Sequence, residues 1–290
     1  MGSGGALLAG LIASLGFGLP LPPWLATLGK TSLQASVVVL GFSLDPAAAY
    51  RAGTRGLSVT AFSLSVTLGV GFLLTRWLGV DPILGTLIAS GTAICGGSAI
   101  AAVGQAIHAD RQQMSVALAV VFLLNAVALF LFPQLGHAMG LSPESFGWLS
   151  ALAIHDTSSV VGAAERFADA AVPTAVTVKL ARVLWIVPLA ALAPLVFSRR
   201  KGTRRFPRPP GFLLLFLGAV GLRALVGESA AGLAVAAALA GKGLLKGAIF
   251  LLGAQMTREG LAKASSRAMA LGVLLWALST AVALILLHFV

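Results

Sequence analysis

Runs of roughly 20 apolar residues, the length that spans a bilayer, recur along the whole chain. They can be read at 6–22, 31–44, 56–77, 83–107, 114–136, 146–166, 174–197, 211–226, 231–256 and 268–290. Of the 290 residues, 58% are hydrophobic and 10% charged, too apolar a balance for a soluble protein. The fold class expected is all-α: a polytopic helical membrane protein of about ten membrane segments, since a helix satisfies its own backbone in lipid. Prolines punctuate the runs. Pro20, Pro22 and Pro23 end the first, Asp45-Pro46 ends the second, and Asp81-Pro82 introduces the fourth, because the residue before proline is pushed out of the helical region.

The net charge of +11 is unevenly placed. Six of the 20 basic residues, Arg199, Arg200, Lys201, Arg204, Arg205 and Arg208, fall in one short loop. In a membrane protein such a loop reads as a cytoplasmic anchor, and this placement argues against a nucleic-acid partner. The whole chain, 1–290, reads as a single membrane domain with 198–210 as its one linker. With that loop inside, Lys30, Arg76, Arg258, Lys263 and Arg267 fall inside too, and Arg51, Arg55, Arg166 and Arg223 outside. Both termini are then on the outer side. Counting segments four and six as full crossings or as re-entrant hairpins moves only Arg111, so charge does not choose between them. Cys95 is the sole cysteine, which excludes an internal disulfide. Met1-Gly2-Ser3-Gly4-Gly5 lacks the charged region of a cleaved signal peptide, so the first apolar segment is expected to be retained as a helix.

Two stretches break the apolar pattern. The first is Ser90-Gly91-Thr92-Ala93-Ile94-Cys95-Gly96-Gly97-Ser98-Ala99-Ile100-Ala101-Ala102. A glycine inside a helix costs about 1 kcal/mol against alanine, so Gly-Gly at the centre of an apolar run predicts a broken helix or a re-entrant hairpin. Broken backbone at membrane depth is tolerated only inside protein or against a wet cavity. The second stretch is Ala153-Ile154-His155-Asp156-Thr157-Ser158-Ser159-Val160-Val161-Gly162. An Asp in lipid is costly, and Asp156 is also a good helix N-cap. Capping and facing a binding cavity are compatible roles.

Helix starts near Gly97-Ser98 and Thr157-Ser158 present free N–H groups and partial positive charge, the ingredients of an anion site. The candidate substrate-binding groups are Cys95, Gly96, Gly97 and Ser98 from one break and Thr157, Ser158 and Ser159 from the other. The glycines would let a ligand approach the backbone closely. The carbonyl ends of the preceding half-helices suit a cation or a proton carrier. Lys179 and Arg182 share a face of an otherwise apolar helix. Lys179 is open to snorkelling outward. Arg182 is open to an ion-paired structural role, to pairing with Asp156, or to neutralising an anion with its fork of donors. Asn125 reads as interhelical glue or as a ligand group. His155 and Asp156 are the candidates for coupling to protons or sodium. Cys95, His155 and Asp156 are the residue types of a thiol hydrolase, but nothing in their spacing supplies the contact geometry, so no enzyme is expected. No metal-ligand spacing and no nucleotide fingerprint occur, and no cofactor is expected.

The chain also echoes itself. Residues 29–56 align without gaps to 241–268, matching Gly29, Lys30, Leu33, Leu40, Gly41, Ala52 and Arg55 to Gly241, Lys242, Leu245, Leu252, Gly253, Ala264 and Arg267. A weaker echo sets 93–98 against 153–158. Together they suggest a duplication, inverted if segments four and six are hairpins. The 34 glycines allow close helix packing within one chain or between copies in a homo-oligomer.

Gly91 to Ala102 and Ala153 to Val161 resemble the two signature segments of the bacterial sulfate exporter family, and Leu40-Gly41-Phe42-Ser43-Leu44 and Val178-Lys179-Leu180-Ala181-Arg182 also resemble its pattern, a similarity that covers nearly the whole chain. The resemblance implies an inner-membrane protein of about ten helices related to inverted-repeat secondary transporters. The expected function is secondary transport of a small oxyanion such as sulfate or sulfite, outward, coupled to protons or sodium. The alternatives are a passive anion channel, a transporter of an organic sulfonate or carboxylate, and a non-translocating anion-sensing subunit.

Overall fold

A computed structural model describes residues 9–10, 23–197, 211–254 and 265–289. Most of the first apolar segment and all of the basic linker at 198–210 lie outside these described residues. Twelve α-helices are named here: α1 (Pro23–Ser43), α2 (Pro46–Trp77), α3 (Pro82–Ala93), α4 (Gly97–Ala106), α5 (Arg111–Ala138), α6 (Pro143–Ala153), α7 (Thr157–Phe167), α8 (Val172–Val183), α9 (Ile186–Phe197), α10 (Gly211–Val226), α11 (Ala231–Ala254) and α12 (Ser266–Leu286). There is no strand among the described residues. Among the described residues, five stretches are long and apolar enough to cross a membrane: Tyr50–Trp77, Gln112–Ala138, Asp169–Pro194, Ala231–Ala248 and Ser266–Phe289.

The fourth and sixth apolar segments each fold into two short helices that double back. Leu87 on α3 lies against Gly104 on α4, and a Cβ at Gly91 would stand 2.9 Å from Ile100. The pairing of 87 with 104 and of 91 with 100 is antiparallel, so α3 and α4 form a hairpin with its tip at 94–96. In the second pair, Phe146 near the start of α6 stacks on Phe167 at the end of α7, ring centroids 4.1 Å apart. That hairpin has its tip at 154–156. Helices of 10 to 12 residues are about 15–18 Å long, too short to cross a hydrocarbon core of about 30 Å. The full-crossing alternative for these two segments is therefore set aside.

Helix α5 fixes how the hairpins meet. Its N-cap Asp110 forms a reciprocal capping box with Gln113. The Gln113 amide also donates to Asp81 Oδ1 at 2.9 Å, and Asp81 caps α3 by accepting from Leu84 N–H. The base of the first hairpin is thus tied to the start of α5, where Met114 touches Gly104. The base of the second sits at the other end, where Gly136 approaches Phe146 and Phe167 and His137 stacks on Phe167. Both tips reach the middle of α5, at Val121 for the first and Asn125 for the second. The hairpins therefore enter from opposite ends of α5.

Helix α1 packs on both α10 and α11 beside this assembly. The strong sequence echo falls on α1 and α11, which lie in contact. A Cβ at Gly241 would stand 2.8 Å from Leu40 Cγ and 3.3 Å from the Ser36 carbonyl. The weak echo falls on the two hairpin tips.

Candidate functional site

At the first tip, α3 ends when Ile94 N–H donates back to Ser90 and Gly96 N–H to Gly91 at 2.8 Å. Gly96 then turns the chain with φ of 60° and ψ of −117°, the first central position of a type II′ turn, a conformation that costs other residues about 1–3 kcal/mol, and α4 starts at Gly97. At the second tip, Ile154 ends α6 and Asp156 caps α7. Asp156 Oδ2 accepts from Ser158 N–H at 3.0 Å and also from the Ser158 hydroxyl. The tips touch. A Cβ at Gly96 would lie 3.6 Å from Asp156 Cβ and 3.2 Å from Val121 Cγ1, and one at Gly97 would pack on Leu118 and Phe122. The two glycines turn their Cα faces to α5 and the other hairpin, rather than opening the backbone to a ligand on that side.

Asn125 holds the second tip. Its side-chain oxygen accepts from His155 N–H at 3.1 Å and Asp156 N–H at 3.2 Å, which fixes the orientation of the amide. Its Nδ2 is buried without a hydrogen-bond partner, and the residue is 3% exposed. Thr92 Oγ1 and both ring nitrogens of His155 are likewise buried without a well-formed hydrogen bond, although the Val121 backbone lies close enough to interact with the imidazole. Buried polar atoms are normally partnered, so this cluster is unusual and sits where the tips meet. Cys95 is buried, its thiol beside the Ser98 hydroxyl and the Ala99 backbone. Ser98 is exposed, Gly97 and Ser159 half-buried, and Thr157 and Ser158 buried.

Lys179 and Arg182 come to the tips from the carbonyl side. Arg182 Nε donates to the Ala93 carbonyl and an NH2 proton to Thr92 at 3.0 Å. Its NH1 donates to Ala151 at 3.1 Å and to Leu152. Lys179 Nζ donates to Ile154 at 2.7 Å and reaches Ala151 at 3.5 Å. Both residues are fully buried, which corrects the expectation that Lys179 snorkels outward. No ion pair joins Arg182 to Asp156 among the described residues. The cations expected at the half-helix carbonyl ends are the chain's own, bound where the helix dipole is negative.

The sequence reading missed these five carbonyls as partners, and it missed the Thr92 hydroxyl. Lys246 of α11 pairs with Glu165 of α7 at 3.4 Å. Among the described residues no group of three or more His, Cys, Asp or Glu side chains is placed to hold a metal.

The chain is 44% identical to a UPF0324 membrane protein of Shewanella oneidensis over 277 residues, 95% of this chain and 86% of the relative. It is 45% identical to one of Photobacterium profundum over 272 residues, 93% and 82% of the two chains. With one of Porphyromonas gingivalis it shares 44% over 277 residues, 94% and 83%. No solved structure matches it. The family model described as Conserved hypothetical protein 698 matches residues 6–272, and the chain, a membrane protein by its helices and its relatives, belongs to that family.

Proposed function

We propose that this protein is a secondary transporter, an exporter of a small oxyanion such as sulfate or sulfite, coupled to protons or sodium. One observation carries the reading: two helical hairpins enter from opposite ends of α5 and touch at their tips, Gly96 against Asp156. Interrupted helices meeting midway are where many secondary transporters bind substrate. At such a junction the first-turn N–H groups of α4 and α7 lack intrahelical acceptors. Asp156 takes that of Ser158 and the Cys95 thiol stands by that of Ala99. Gly97, Ser98, Thr157 and Ser159 then supply N–H groups, the three hydroxyl residues supply side-chain donors, and Asn125 Nδ2 completes the cradle. Arg182 and Lys179 act from behind, holding the tips and adding positive field. His155 and Asp156 carry the coupling ion. The opposed hairpins and the paired α1 and α11 support an inverted repeat, with the hairpins counted among about ten membrane segments. The protein then sits in the cell inner membrane with 198–210 in the cytoplasm. No covalent chemistry is assigned to the site.

The test is reconstitution in liposomes with labelled sulfite and sulfate. Uphill accumulation driven by a proton or sodium gradient is expected, with loss on Ser98→Ala combined with Thr157→Ala. Flux that only dissipates a gradient would make the protein a channel. Binding without counterflow would make it a sensor, and competition by an organic sulfonate or carboxylate alone would move the substrate class.

A further inference from the structure

The tip junction holds a carboxylate where an anion is to be bound, and that conflict is informative. Asp156 is half-buried. Its Oδ2 is committed to the Ser158 N–H and hydroxyl, whereas Oδ1 takes no share in that cap. The residue stands against Gly96 of the facing tip, beside the unpartnered Asn125 Nδ2 whose amide oxygen holds Asp156 N–H. The cations that would offset the carboxylate are spent elsewhere. Arg182 lies on four carbonyls. Lys179 on α8 is within electrostatic reach of Asp156, but it donates to the Ile154 carbonyl. Of the other titratable groups at the junction, His155 is the adjacent residue on the same tip, and Cys95 faces Asp156 from the first.

An oxyanion seated on the N–H groups of Gly97, Ser98, Thr157 and Ser159 therefore meets a second anionic oxygen. A fully ionised anion has only lone pairs to offer it, and like charges brought together without water disfavour binding. An oxyanion that retains a proton donates it to the carboxylate in a charge-assisted hydrogen bond. A site whose acceptor is placed to take a substrate proton disfavours the analogue that lacks it, because the acceptor then loses its partner on binding.

We propose that Asp156 makes this junction selective for oxyanions that keep a proton at neutral pH, of the hydrogen sulfite, hydrogen carbonate and hydrogen phosphate kind, over fully ionised sulfate. The proposal rests on the oxyanion reading above and narrows it.

The test is calorimetric titration of the purified full-length protein at pH 7 with sulfite, bicarbonate, phosphate and sulfate in turn. At least one of the first three is expected to bind roughly tenfold or more tighter than sulfate. Asp156→Asn keeps a cap of equal quality and is expected to close that gap by gaining affinity for sulfate. If the wild type binds sulfate as tightly as the proton-bearing anions, the selectivity falls and the oxyanion reading stands. An unchanged ratio in a folded Asp156→Asn protein likewise overturns the role of Asp156 alone. If no oxyanion of either kind binds to folded wild-type protein, both readings fall. The wild-type comparison decides the selectivity even if the variant does not fold.

Discussion

Asn125 and His155 are joined through the side-chain oxygen of one and the backbone N–H of the other, 3.1 Å apart, so the 28-residue helix α5 carries the tip of a hairpin at its midpoint. Asn125→Ala leaves the N–H groups of His155 and Asp156 buried and unpaired, each costing about 1–3 kcal/mol. Asn125→Asp keeps an acceptor of the same shape but removes the free donor and adds a negative charge. Thermal unfolding in detergent should therefore fall furthest for the alanine variant, while anion binding should be lost in both. An aspartate variant that binds anions at wild-type affinity would remove Asn125 Nδ2 from the site.

Arg182 touches both hairpins, at Thr92 and Ala93 on one and at Ala151 and Leu152 on the other, whereas Lys179 touches only the second. Arg182→Met keeps the packing volume and takes the guanidinium from four carbonyls, of which Ala151 alone is still reached by Lys179, at 3.5 Å. The expected loss is about 3 kcal/mol or more, against about 1–3 kcal/mol for Lys179→Met. Arg182→Lys retains charge but not the fork, so it should fall between wild type and Arg182→Met. Equal stability losses at the two positions would mean that the bridge between hairpins contributes nothing of its own.

The interruptions were legible because their causes are local. Gly96-Gly97 inside an apolar run and Asp156-Thr157 at a good N-cap each state a helix end in a few residues. Whether the segments crossed or doubled back was not legible, because either path leaves nearly every charged loop on the same side. What decides it is contact at a distance, Leu87 with Gly104 and Phe146 with Phe167. The partners of Arg182 were equally hidden. A backbone carbonyl has no residue identity, so nothing along the chain marks Thr92, Ala93, Ala151 and Leu152 as acceptors. Sequence can mark a carboxylate such as Asp156, but no ion pair joins it to Arg182 among the described residues. Lys246 and Glu165 share no helix, and their pairing left no periodic trace.

That pair links α7, which carries the second tip, to α11 of the neighbouring group, and it is partly exposed, 40% for the Lys246 side chain and 12% for the Glu165 side chain. Exposed pairs contribute about 0–1 kcal/mol and weaken with salt. Lys246→Met, Glu165→Gln and the double variant should give a coupling in that range at low salt that shrinks at high salt, read from unfolding midpoints. A coupling well above about 1 kcal/mol that survives high salt would mark the contact as dry and structural.

Gly96 is the residue least open to change at the junction. Its φ of 60° with ψ of −117° costs an L-residue about 1–3 kcal/mol. An added methyl would also stand 3.2 Å from Val121 Cγ1 and 3.6 Å from Asp156 Cβ, tighter than ordinary packing on one side and in plain contact on the other. Gly96→Ala should therefore destabilise the protein by more than the dihedral cost alone and press the two tips apart. Adding Val121→Ala relieves the crowding from α5 but not the dihedral or the contact with Asp156, so stability should recover in part while anion binding stays weakened. Gly97→Ala is the control. It lies in the first turn of α4 with no positive φ, and its methyl would meet Leu118 and Phe122 at 3.4 Å, an ordinary contact. Its effect on unfolding should be well below that of Gly96→Ala, and matching losses at the two positions would mean that the turn at Gly96 is not what sets the junction.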